Sequence, residues 1–180
     1  MIKLAFITCL ALAPLGAQEI KLPPSLERLA AKASEVVDVT MDANLLQLAS
    51  RFLSDKDADD AKVKKLIAGL KGIYVRNFEF AKTGEYQESD VEPVRAQLRN
   101  PAWSRIVGVR SQKSGENAEV YVKTDNGKIG GLVVLATEPK ELTIVSIEGA
   151  IDPDQLSELG GHFGIPKVDT RKESGHGKDE

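Results

Sequence analysis

Cysteine is nearly absent from this chain. The 180 residues include one, Cys9, and it lies in an apolar run near the start. If that run is a leader that is removed, the mature chain has no cysteine. A disulfide, a thiolate nucleophile and a cysteine metal ligand are then all excluded, and an exported protein of this kind is stabilised by its core alone. Histidine is scarce too. His162 and His176 are the only two, and neither has a ligand partner at helical i, i+4 spacing, so no metal site is expected. There is no excess of positive charge, with 24 Lys+Arg against 27 Asp+Glu. No basic stripe with interleaved aromatics appears, which argues against nucleic acid as a partner. No G-x-S-x-G elbow, phosphate loop or dinucleotide fingerprint occurs, and no cofactor is expected. The glycines of "GKIGG" lack phosphate-cradling spacing before a helix.

The first residues, "MIKLAFITCLALAPLGAQE", have the three-part layout of a secretory signal peptide. Lys3 precedes an apolar run over residues 4–13, and small residues follow at Gly16 and Ala17. The spacing places cleavage after Ala17, giving a leader over residues 1–17 and an exported protein of the bacterial periplasm or envelope. The run is shorter than the roughly 20 apolar residues of a permanent span, so no stable membrane span is expected after cleavage. Thr8 stands where a lipid-modified cysteine would need a small neighbour, so Cys9 is not read as lipidated. Removal of Lys3 takes the formal charge from −3 to −4 (23 basic, 27 acidic).

The remainder reads as one domain over residues 18–166, followed by a disordered polar tail over 167–180. After Pro23 and Pro24, Ser25 can cap a helix with Leu26, Leu29, Ala30 and Ala33 on one face. Val36, Val37, Val39 and Thr40 are β-branched and read as extended. Asp42 can cap a second helix with a stripe of Leu45, Leu48, Ala49 and Phe52. A third helix starts at a cluster of aspartates, carries Val63, Leu66, Ile67 and Leu70 inward, and stops at Gly72. Residues 73–80, "IYVRNFEF", read as a strand. Its alternation breaks at Arg76-Asn77, which predicts either a bulge there or burial on both faces. A fourth helix follows, with Asp90 as cap and Pro93 in its first turn. Four strands then fill residues 105–149, and a last short helix follows Pro153.

Asn126-Gly127 is the strongest hairpin signal in the chain. Counting back from it pairs Lys123 with Gly130, Val122 with Gly131, Tyr121 with Leu132 and Val120 with Val133. The next turn, at Pro139-Lys140, pairs Val134 with Val145, Leu132 with Ile147 and Leu135 with Ile144. The strand over residues 129–136 is apolar on both faces and therefore central. A bulge at Gly130-Gly131 is allowed, and the Tyr121 ring can cover bare backbone at Gly130. A sheet apolar on both sides needs cover on both. Either the helices divide between the faces, or a protein partner or second copy covers one face.

The candidate binding residues are Tyr74, Arg76 and Tyr121, because aromatics and arginine on a sheet face form contact surfaces. The plainer reading of each is an ordinary strand position with its tip in solvent. "DKDADD" places Asp55, Asp57 and Asp59 like the start of a calcium loop. Asp60 then occupies the glycine position and Leu66 the glutamate position, so it reads as an acidic helix start. Trp103 reads as a corner of the core. A hydrolase built on two carboxylates is the alternative that the residue types leave open, and a structural homodimer is another.

"GIYVRNFEF", Tyr86, "NPAWSRIVGV", "GLVVLATEPKELTIVSIEGAI" and "DQLSELGG" together resemble the domain-of-unknown-function family numbered 4252, found in exported proteins of bacteria. The resemblance covers residues 26–164. It implies a single exported domain of mixed α and β structure with no assigned activity and no catalytic residues to transfer. It also implies gene neighbourhoods of envelope-responsive sigma factors. The expected fold is α+β: a two-layer arrangement with a twisted, mainly antiparallel sheet of five or six strands and helices packed on it. The expected function is a non-catalytic periplasmic binding, interaction or sensory module.

Overall fold

Each strand after Gly69 finds its sequence neighbour by a short turn, except where the helix Glu88–Leu98 intervenes, and antiparallel pairing follows. A computed structural model of the protein describes residues 20–21, 23–125 and 127–152. The expected leader, Asn126, the helix after Pro153, both histidines and the polar tail lie outside the described residues. The elements run α1 (Pro24–Ala30), β1 (Glu35–Asp42), α2 (Ala43–Ser50), α3 (Ala58–Ala68), β2 (Leu70–Glu79), α4 (Glu88–Leu98), β3 (Trp103–Arg110), β4 (Asn117–Asp125), β5 (Lys128–Glu138) and β6 (Glu141–Ile151). The six strands form one antiparallel sheet in the order β1-β2-β6-β5-β4-β3. The fold is α+β, as expected, and β5 is an inner strand. The helices lie on both faces, so a helical layer flanks each side of the sheet rather than one.

The break in "IYVRNFEF" has its cause in that division. Pairing of β2 with β1 and β6 runs without a shift from Ile73 to Glu79, so no bulge sits at Arg76-Asn77. Ile73 and Val75 enter one core, with Leu46 of α2 and Leu66 and Ile67 of α3. Phe78 and Phe80 enter a second core on the opposite face, with Leu26 and Leu29 of α1 and Val91, Val94 and Leu98 of α4. The strand is covered on the back face at its start and on the front face at its end. Back here denotes the α2/α3 side and front the α1/α4 side.

Several local expectations are corrected. Ser25 does not cap α1. Pro23 is the N-cap, and buried Ser25 donates its hydroxyl to the Asp90 carbonyl across 3.1 Å, tying α1 to α4. Asp42 does cap α2, accepting from Leu45 N. The inward residue of that helix is Leu46, whereas Leu45, Leu48 and Phe52 are exposed. Asp42 ends β1 and caps α2 at once, so the path of the strand sets how the helix is rotated. Helix α3 stops at Gly69, and β2 begins at Leu70 with a register shift before Gly72. Helix α4 is capped at Gln87, whose N–H donates to the Asp90 carboxylate across 2.9 Å. Pro93 therefore sits beyond the first turn and forgoes one helical hydrogen bond.

The β4–β5 register differs by one from the simple count. Asp125 pairs with Lys128 and Thr124 with Ile129, then Lys123 pairs with Gly131, Val122 with Leu132, Tyr121 with Val133 and Val120 with Val134. Gly130 is the extra residue, so β5 presents opposite side chains to those counted. The β5–β6 pairs Val134–Val145, Leu132–Ile147 and Leu135–Ile144 stand as expected. Trp103 is a buried core residue, as expected. Its ring, not that of Tyr121, lies over glycine backbone: a Cβ at Gly131 would meet it at 3.2 Å.

Candidate functional site

One row of cross-strand partners crosses the front face: Thr40, Tyr74, Ser146, Val133, Tyr121 and Arg105. Tyr74, Arg76 and Tyr121 therefore share a face. At about 4.8 Å per strand, the two tyrosines stand roughly 14 Å apart. Tyr74 and Arg76 lie on β2, one strand in from the β1 edge, and Tyr121 lies on β4, one strand in from the β3 edge. They line two separate recesses.

The recess beside β1 has a volume of about 390 Å³ and includes Tyr74, Arg76, Thr40, Ile144 and Ser146 in its walls. Arg76 is ion-paired with its cross-strand partner Asp38. Burial lowers the Arg76 pKa, and Glu27 pushes it the other way. The Tyr74 ring folds over Gly72, where a Cβ would come within 2.8 Å of it. The Ser146 hydroxyl is buried without a partner among the described residues.

The recess beside β3 is larger, about 520 Å³, and is walled by α4, β3 and β4. Glu119 is its hub. It accepts from Arg95 Nε at 2.8 Å and from the Tyr121 hydroxyl at 2.5 Å, and it lies 4.0 Å from Arg105. Arg95 also bonds Glu88, and Arg99 pairs with Glu92. Burial works against the Arg95 charge, but Glu119 and Glu88 overcome it and hold its pKa above the ordinary value. Burial and the bond to Glu119 raise the Tyr121 pKa.

The remaining cations of this recess, Arg105 and Arg110, lie on β3. Arg105 pairs with Tyr121 on the ladder and Arg110 with Asn117. Five residues apart, they would point to opposite faces of a regular strand. A bulge between Arg105 and Val107 absorbs one residue, so both point to the front. Gly108 lies between them, and a Cβ there would meet the Arg105 side chain at 3.6 Å. The Arg105 side chain is 60% exposed, and Arg110 makes no ion pair among the described residues.

β3 and β1 are the edges of the sheet. Their outer backbone groups have no strand partner among the described residues, and such an edge is a template for pairing. Among the described residues, the exposed large apolar ones are Val36, Val37, Leu45, Leu48, Phe52, Ile106 and Val109. All of them belong to β1, to α2 and the turn after it, or to β3. Strand counting missed Arg105 and Arg110, because the bulge at Ile106 leaves no mark on the pattern. Arg95 was findable: it shares the i, i+3, i+4, i+7 stripe of Val91, Val94 and Leu98.

No group of His, Cys, Asp or Glu among the described residues is placed to hold a metal ion, and no described helix is long and apolar enough to cross a membrane. Fold and site together define an α+β domain whose two charged edge strands have no outer strand partner among the described residues. The chain belongs to the DUF4252 family, a domain of unknown function, whose model matches residues 30–159. No curated protein matches it.

Proposed function

We propose that this is an exported, non-catalytic binding module that takes an extended acidic segment of a protein partner along the β3 edge. The carrying observation is that the bulge puts Arg105 and Arg110 on one face of an edge strand that has no outer partner among the described residues. Strand addition supplies main-chain hydrogen bonds, and alternate side chains supply specificity. Arginine matches carboxylates through its planar fork. Tyr121 and Arg95 act behind the edge by holding Glu119 back from full pairing with Arg105. The glutamates of this recess already accept arginine or tyrosine donors, which supports binding over carboxylate hydrolysis. The leader-like residues 1–17 support a place in the periplasm or envelope.

The test is fluorescence anisotropy with a labelled peptide of alternating valine and aspartate. Binding should weaken at least about tenfold in Arg105→Ala, Arg110→Ala protein, as expected when charge partners are truncated. A valine-lysine peptide should not bind. Equal affinity of both peptides, or an unchanged affinity in the double variant, would refute the reading.

A further inference from the structure

We infer that the acidic segment fitting the β3 edge is β1 of a second copy of this chain, so that the sheet continues head to tail; this rests on the reading of β3 as an acceptor of extended acidic strands. β1 carries Glu35, Asp38 and Asp42 and no basic residue. β3 carries Arg105 and Arg110 and no acidic residue. Each edge therefore repels a second edge of its own kind and attracts the other kind, which disfavours a two-fold dimer and favours a heterologous contact.

Direction and register agree with that contact. Neighbouring strands are antiparallel throughout the sheet, and β1 and β3 at its ends run in opposite directions. Placing β1 of one copy beside β3 of the next keeps the alternation and joins front face to front face. On the front, Asp38 and Asp42 are four residues apart. Arg105 and Arg110 are also four rungs apart, because their partners are Tyr121 and Asn117. Pairing Arg105 with Asp42 and Arg110 with Asp38, whose carboxylate is shared with Arg76 of its own copy, sets Gly108 opposite Thr40. On the back, Val107 then faces Met41 and the exposed Val109 faces Val39. The exposed Leu45 and Leu48 of α2 belong to the same back side as those valines, since α2 packs there through Leu46. The bulge is thus what makes the cation spacing equal the carboxylate spacing.

The contact leaves one edge of each kind free, so it repeats rather than closing at two copies. Sedimentation velocity of the full chain should show mass rising with concentration beyond a dimer, and dissociation in molar salt. Two edge variants separate the ends: Arg105→Glu with Arg110→Glu, and Asp38→Asn with Asp42→Ser, in which serine keeps the α2 cap. Each should be monomeric alone, and the mixture should give a 1:1 dimer that grows no further. A second route avoids the charges. In a Cys9→Ser background, Val39→Cys protein mixed with Val109→Cys protein should form a disulfide-linked heterodimer, while neither should crosslink with itself. A wild-type chain that stays monomeric, or the absence of the mixed crosslink, overturns the inference. If the valine-aspartate peptide still binds in that case, the binding reading stands and only the second copy falls. If the peptide also fails, both fall.

Discussion

Arg95 Nε lies 2.8 Å from Glu119 Oε1, joining α4 to β4 through two side chains that are only 10% and 13% exposed. Removing one partner of a buried pair leaves the other charge unpaired, which costs more than the pair itself contributes. Arg95→Ala should destabilise the fold by about 3 kcal/mol, read as a fall in urea midpoint at constant slope. Arg95→Met, which restores the apolar stem beside Val91, Val94 and Leu98, should recover part of that loss. Equal losses in the two variants would show that the stem contributes little.

Gly149 has φ +126°, and a Cβ there would meet Gly69 O at 2.5 Å and Leu70 Cα at 2.6 Å. Both atoms are backbone, so neither can rotate away. Gly149→Ala should therefore destabilise by about 3 kcal/mol or prevent folding. The bulge residue Gly130 meets nothing closer than 3.9 Å, and Gly130→Ala should be tolerated. Thermal melts of the two variants decide it, and a melting temperature for Gly149→Ala within a degree or two of wild type would count against the described backbone.

Tyr86 donates to the carbonyls of Glu138 and of Glu141, the latter at 2.9 Å, and stacks on Phe80 with centroids 5.0 Å apart. Burial, opposed by the bond to Glu138 and assisted by nearby carboxylates, pushes its pKa up to about 12. The protonated form is the one the fold prefers. Its contribution is whole below the unfolded value of about 10 and is lost as pH rises towards about 12. An alkaline titration followed by phenolate absorbance should find this ring ionising late. Tyr86→Phe should cost about 1 kcal/mol at neutral pH and flatten stability over that alkaline window.

Glu35, Glu79, Glu141 and Glu138 form one row of cross-strand partners. Burial, then Glu141 and Glu116, raise the Glu138 pKa. A raised carboxylate favours the fold when protonated, so this stabilisation is present at acid pH and is lost as pH rises through the carboxylate range. Glu138→Gln should stabilise at neutral pH by about 0.3 kcal/mol, with the difference vanishing in acid. A destabilised Glu138→Gln at neutral pH would contradict this.

The strands, their order of appearance and the β5–β6 register were legible because apolar alternation and a short turn at Pro139-Lys140 leave little choice. The β4–β5 register was not. Gly130 has no side chain, so nothing in the alternation reports that it stands outside the ladder. The better clue was energetic: the observed register sets Val122 against Leu132, whereas the simple count sets it against Gly131. Helix rotation at α2 was illegible for a different reason, since Leu45, Leu46 and Leu48 offer two apolar faces and the strand end at Asp42 selects one. Tyr74, Arg76 and Tyr121 share the front face with Arg105 and Arg110 but stand on the strands just inside the edges. The outermost cations depend on a bulge that the sequence does not announce.

The two cores share strands. β2 enters the α2/α3 core with Ile73 and Val75 and the α1/α4 core with Phe78 and Phe80, and β6 does the same with Val145 and Ile147 against Leu142 and Ile144. Neither core can melt alone without stripping a strand that the other is built on. Amide protons of β2 and β6 should therefore exchange with solvent only through global unfolding, and the protein should lose its secondary and tertiary signals in a single transition.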